Sequence, residues 1–87
     1  MKVINLRKQN SGQLRAFFDV VFEDKDGPVL TLRNMKLIET DTGLWPASPG
    51  SAYEKKGKQI YEPHFSIDRF QLLDRIGREA AKIYENT

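Results

Sequence analysis

The chain reads as an α+β domain, an antiparallel sheet of four to five strands packed by one C-terminal helix and assembled as a homodimer. Three observations predict it. From Leu14 to Glu23 polarity alternates with a period of two, the signature of a half-buried strand: Leu14, Ala16, Phe18, Val20 and Phe22 take one face. Turn-forming clusters interrupt the apolar segments at Gln9-Asn10-Ser11-Gly12, at Asp24-Lys25-Asp26-Gly27-Pro28 and at Thr40-Asp41-Thr42-Gly43, which suits hairpin connections. The pattern then changes to a helical one from Ile67 to Glu85, where Phe70, Leu72, Leu73, Ile76, Gly77, Ala80, Ala81, Ile83 and Tyr84 share half of the wheel.

The first strand, Lys2 to Gln9, alternates weakly, with Ile4 and Leu6 against Asn5 and Arg7. The second is the Leu14 to Glu23 segment. A third runs from Val29 to about Glu39, but its phase slips: Leu30 and Leu32 share one parity, Met35 and Leu37 the other. One extra residue near Arg33-Asn34 restores the pattern, which predicts a β-bulge or bend there. Leu44 to Ser48 forms a short returning strand, and Pro46, lacking an N–H, places it at an edge or at a bend leaving the sheet. Pro49 to Lys58, PGSAYEKKGK, has no period and several breakers, so it is expected to be a surface loop of about ten residues. Gln59 to Glu62 is read as one more brief strand. For the helix, Ser66 is the expected N-cap and Asp68 the acidic residue of the first turn. Gly77 costs a helix about 1 kcal/mol relative to Ala, so a close backbone approach is expected to compensate for it.

Composition narrows the function classes. With 87 residues the chain makes one domain with one small core. Such a domain leaves apolar surface uncovered, and a second copy would cover it. Without cysteine there is neither a disulfide scaffold nor a thiolate metal site. The N-terminal residues lack the apolar run of a signal peptide, and no run reaches transmembrane length, which together make the cytoplasm the expected compartment. A net charge of +2 from 14 basic and 12 acidic residues permits nucleic-acid binding without demanding it.

The order of elements and the motif Ile38-Glu39 followed by Gly43-Leu44-Trp45, Ala47 and Pro49 resemble the stage V sporulation protein G (septation regulator) family. Met1, Lys2, Val3 and Arg7 at the start and the helix end Lys82-Ile83-Tyr84-Glu85 extend the resemblance over nearly the whole chain. It implies a small α+β homodimer of bacterial cytoplasm that is not an enzyme, binds DNA and RNA, and regulates gene expression, septation and sporulation. The family's nucleic-acid contacts lie in the basic segment between the A-x-P strand and the C-terminal helix. This chain differs there: Gly50-Ser51-Ala52 stand where two basic residues are usual, and the charges come later, at Lys55, Lys56 and Lys58. Trp45 replaces the usual Phe, and the usual His-Pro before the helix is reversed as Pro63-His64.

The candidate binding residues are Lys55, Lys56 and Lys58, which would neutralise phosphates, with Tyr53 or Tyr61 available to stack on an unpaired base. Arg7, Arg15 and Arg33 fall on three strands and would make a basic stripe if those strands are neighbours, so Arg33 joins the candidates. Trp45 and Leu44, with Ile76 and Gly77 on the wide helix arc, are the candidate dimer contacts. Arg75, Arg78 and Lys82 alternate with acidic residues and read as a solvated face with pairs such as Asp74 with Arg78 and Glu79 with Lys82. Three other readings fail on their partners. Asp24-x-Asp26 lacks the later ligands of a calcium loop. His64, the one histidine, has too few neighbours of ligating type for zinc, and no serine lies in a nucleophile elbow. No glycine-rich phosphate loop or other cofactor motif occurs, and no small-molecule substrate is expected. The other reading left open is a protein-interaction module in division or sporulation control, using Trp45 and the helix arc without touching nucleic acid.

Overall fold

A computed structural model describes the whole chain, Met1–Thr87. Six strands precede the helix: β1 (Lys2–Ser11), β2 (Leu14–Asp24), β3 (Gly27–Thr40), β4 (Gly43–Ala47), β5 (Gly50–Lys55) and β6 (Lys58–Pro63), then α1 (Phe70–Glu85). The first four form an antiparallel meander in the order β1-β2-β3-β4, and β5 pairs with β6 alone. The main sheet therefore has four strands, and β4, with its proline, is an edge as expected.

Two neighbouring rows across the sheet define its faces, because residues directly opposite in antiparallel strands share a face. Lys8, Ala16, Leu37 and Pro46 make one row. It lies under the helix: Lys8 sits over the Tyr84 ring at 4.8 Å and donates to the Thr87 carbonyl, and Ala16 and Leu37 belong to the core. Arg7, Phe17, Lys36 and Ala47 make the next row, on the face without the helix. The core joins Val3, Ala16, Phe18, Val20, Met35 and Leu37 of the sheet to Ile76 and Ala80 of α1. Phe22, Leu32, Phe65, Ile67 and Leu72 extend it at partial burial.

The expected bulge at Arg33-Asn34 is present. Val20 pairs with Leu32 and Phe18 with Met35, so Arg33 and Asn34 together oppose Asp19. Asn34 has φ of 61°, a left-handed conformation that asparagine tolerates better than most residues. Another bulge, which no change of parity in the sequence marks, lies on the other side of β2, where Asn5, with φ of 54°, falls in the register shift between Ile4 and Arg7.

Three expectations need correction. The expected ten-residue loop holds a strand, β5, which pairs with the strand expected at Gln59–Glu62, here β6, from Gly50–Pro63 to Lys55–Lys58, with Lys56 and Gly57 as a two-residue turn. Both turn residues have positive φ, 52° and 78°, the geometry whose twist matches that of the flanking strands. The helix starts three residues late, at Phe70, behind an Arg69 N-cap that makes no side-chain cap bond and with no acid in its first turn. Ser66 donates instead to Asp68 at 2.8 Å. Phe65 and Ile67 pack against the core, so burying them outweighs what a capped first turn would contribute. Finally, Ile76 is fully buried within the protomer and Gly77 is packed against β4, so neither presents a surface to a second copy.

The compensation expected for Gly77 is visible. A Cβ there would stand 2.6 Å from Pro46 Cδ and 3.0 Å from Cγ, in a rigid ring on a paired strand. Gly77→Ala adds helix propensity of about 1 kcal/mol but overpacks at a cost of about 1–3 kcal/mol. The expected outcome is a net loss of about 1 kcal/mol, read from the urea midpoint; a stabilised variant would show that the contact is slack.

Candidate nucleic-acid interface

The hairpin turn gathers Lys55, Lys56 and Lys58 at one tip, with Lys55 and Lys58 paired across the turn. All three are exposed, and none enters an ion pair. Lys56 occupies a left-handed position where Asn, Asp or Gly is the usual residue, at a cost of roughly 1 kcal/mol. Tyr53 lies lower on β5, 43% exposed and paired with Ile60.

The base of the hairpin is tied to the sheet by side chains that the spacing of the sequence did not reveal. Tyr61 donates its hydroxyl proton to the Ser48 carbonyl at 2.7 Å and accepts from Lys36 Nζ at 2.8 Å. The Lys36 ammonium also stands 4.4 Å from the Tyr61 ring centroid, a cation–π contact. His64 closes the ladder, its backbone N–H donating to the Pro49 carbonyl and its Nε2 lying 3.0 Å from Ser51 Oγ. That Ser-His pair is exposed, and no carboxylate hydrogen-bonds the ring, so it lacks the orienting group that activates a serine nucleophile. Between the hairpin base and the helix entry lies an open cleft of about 520 Å³, with Lys36 and Tyr61 beside Ile38, Phe65, Ile67 and Leu73.

On the helix-free face the arginines do not form the free stripe expected of them. Arg15 is paired with Glu39, while Arg7 and Arg33 converge on Asp19 from opposite sides, each 3.6 Å from a carboxylate oxygen. Asp19 is only 3% exposed and is the buried acid of the sheet. Its Oδ1 accepts the Asn34 backbone N–H at 2.9 Å and its Oδ2 the Asn5 side-chain amide at 3.1 Å. Burial alone would raise its pKa; those two hydrogen bonds, with Arg7 and Arg33, outweigh burial and lower it below the ordinary value of 3.8. One carboxylate thus holds both bulges and orients two guanidiniums. Arg7 is fixed further by donating to the Asn5 carbonyl at 2.7 Å and to Asn34 Oδ1 at 2.9 Å.

Of the interface candidates, Trp45 and Leu44 are half-buried on the edge strand, with Trp45 stacked on Phe70 at a centroid distance of 5.7 Å. Phe70 is itself 63% exposed. On α1, Arg78 donates to Asp74 at 2.9 Å, the expected i,i+4 pair, and Glu79 forms no such pair with Lys82. No group of three or more His, Asp or Glu residues is placed to hold a metal. No helix is long and apolar enough to cross a membrane. Compared with family models, curated proteins and solved structures, the chain finds no match.

Proposed function

We propose that the protein is a nucleic-acid-binding regulatory protein, not an enzyme, of the septation and sporulation regulator type that its sequence resembles. The observation that supports this reading is the hairpin tip: three unpaired ammonium groups held together on a protruding two-stranded arm. Lysines so displayed neutralise phosphates, release counterions and discriminate little between sequences. The left-handed Lys56 adds support, because strain retained at a tip where glycine or asparagine would relieve it suggests that the charge itself is used. A homodimer belongs to the same proposal, with Trp45 and Leu44 on the edge strand as its contacts and two lysine arms per assembly. Mobility-shift titrations of the wild type and a Lys55/Lys56/Lys58 triple-Ala variant against DNA and RNA test the reading. Weaker binding by the variant is expected. Equal affinities would refute the assignment of the hairpin, and absence of wild-type binding at low salt would refute the function.

A further inference from the structure

Beyond the lysine tip, the helix-free face of the sheet holds an ordered line of cations and aromatic rings. Arg7, Phe17 and Lys36 stand side by side on β1, β2 and β3, and Lys36 in turn reaches Tyr61 on β6. Neighbouring strands are about 4.8 Å apart, so Arg7 and Lys36 flank the Phe17 ring within about 10 Å. Phe17 is absent from the hydrophobic core and only partly buried, although it lies in the middle of the most apolar strand. Tyr61 is 49% exposed. From Tyr61, β6 runs to the lysine tip at Lys58.

The charges on this face suit a polyanion. Asp19 supplies one negative charge between the guanidiniums of Arg7 and Arg33, leaving that cluster net positive, and Arg7 and Arg33 keep 42% and 70% of their side chains exposed. Glu23 and Glu39 are each paired, with Lys2 and Arg15. The Arg7 guanidinium is also held in place before any ligand arrives, by Asn5, Asn34 and Asp19, which lowers the ordering cost of binding. A duplex buries its bases in the stack and offers a ring such as Phe17 nothing to stack on. An unpaired strand offers both a π-face for each ring and a phosphate for each cation.

We infer that the Arg7–Phe17–Lys36 row, continued by Tyr61 at the base of the lysine hairpin, is a platform for single-stranded nucleic acid. At least one base stacks on Phe17, and Arg7 and Lys36 hold the phosphates on either side. The inference rests on the nucleic-acid reading above and adds to it a strandedness and a second contact surface.

Fluorescence anisotropy with a labelled 12-nucleotide single strand and a duplex of the same sequence tests it, using wild type, Phe17→Leu, Phe17→Tyr and the triple-lysine variant. Circular dichroism melting confirms folding of each. Phe17→Leu keeps apolar bulk but removes the π-face, and it is expected to weaken single-strand binding roughly tenfold. Duplex affinity stays unchanged in that variant, and Phe17→Tyr binds as wild type. Wild-type single-strand affinity in Phe17→Leu overturns the inference, as does an equal loss on the duplex. A change in sedimentation from dimer to monomer in Phe17→Leu also overturns it, by making the face a contact between copies of the chain. If the triple-lysine variant binds as wild type while Phe17→Leu does not, the platform stands and the hairpin reading falls; if the wild type binds neither ligand, both fall.

Discussion

Asp19→Ala is expected to lower the unfolding free energy by about 3 kcal/mol, the largest effect anticipated for any polar residue of this chain. The substitution removes the acceptor for the Asn34 backbone N–H and for the Asn5 amide, and a hydrogen bond to a buried charge contributes about 1.5–3 kcal/mol. The two arginines add less, because both are partly exposed and water screens them once the acid is gone. Each asparagine also loses a bond that helps to hold it in a left-handed conformation, so both bulges loosen. For a domain this small, such a loss lowers the thermal midpoint by roughly 15 °C. Asp19→Asn, which keeps the shape and an acceptor oxygen, is expected to lose less than half as much. Similar stability of Asp19→Ala and wild type would show that the carboxylate is not the hub.

The same residue gives the fold a pH dependence with a definite sign. Its folded pKa lies below the ordinary 3.8, so its stabilising contribution is complete above that value and disappears as the pH falls through the folded pKa. The stability difference between wild type and Asp19→Asn is therefore expected to be constant at neutral pH and to narrow below about pH 4. Urea titrations across that range measure it, and a gap that persists undiminished into strong acid would contradict the assignment.

How far the sequence revealed this fold depended on whether a segment had a core to face. β2 and β3 pack on α1, so their burial imposed a readable period, and even the Arg33-Asn34 bulge showed as a change of parity between Leu32 and Met35. β5 and β6 contribute nothing to the hydrophobic core, and their residues are almost all exposed, so no alternation marks them. The strand at Gln59–Glu62 is legible even so, and Lys56-Gly57, a two-residue turn placed between segments of equal length, is the signal for its partner. The helix begins later than its capping pattern predicts because Ser66 and Asp68 satisfy a capping rule that depends on local chemistry alone, whereas Phe65 and Ile67 answer to the core. The wide helix arc points Ile76 and Gly77 toward a partner copy because the sequence cannot show that the sheet core buries Ile76 and that Pro46 stands against Gly77. Asp19 was a visible anomaly, a carboxylate inside the most apolar strand, but its partners Asn5 and Asn34 lie 14 and 15 residues away, and only the register brings them together.

The second large effect is on binding. Removing all three tip ammonium groups in the triple-Ala variant is expected to weaken nucleic-acid affinity on the order of 100-fold at low salt, through lost phosphate neutralisation and not through the fold. The tip lies outside the hydrophobic core, so the melting curve of the variant should match that of the wild type. The most direct test of the hairpin as a phosphate-binding arm is the slope of log K against log salt for the two proteins. Three lost phosphate contacts predict a slope shallower by about two for a single strand and nearly three for a duplex. An unchanged slope with unchanged affinity would contradict the account.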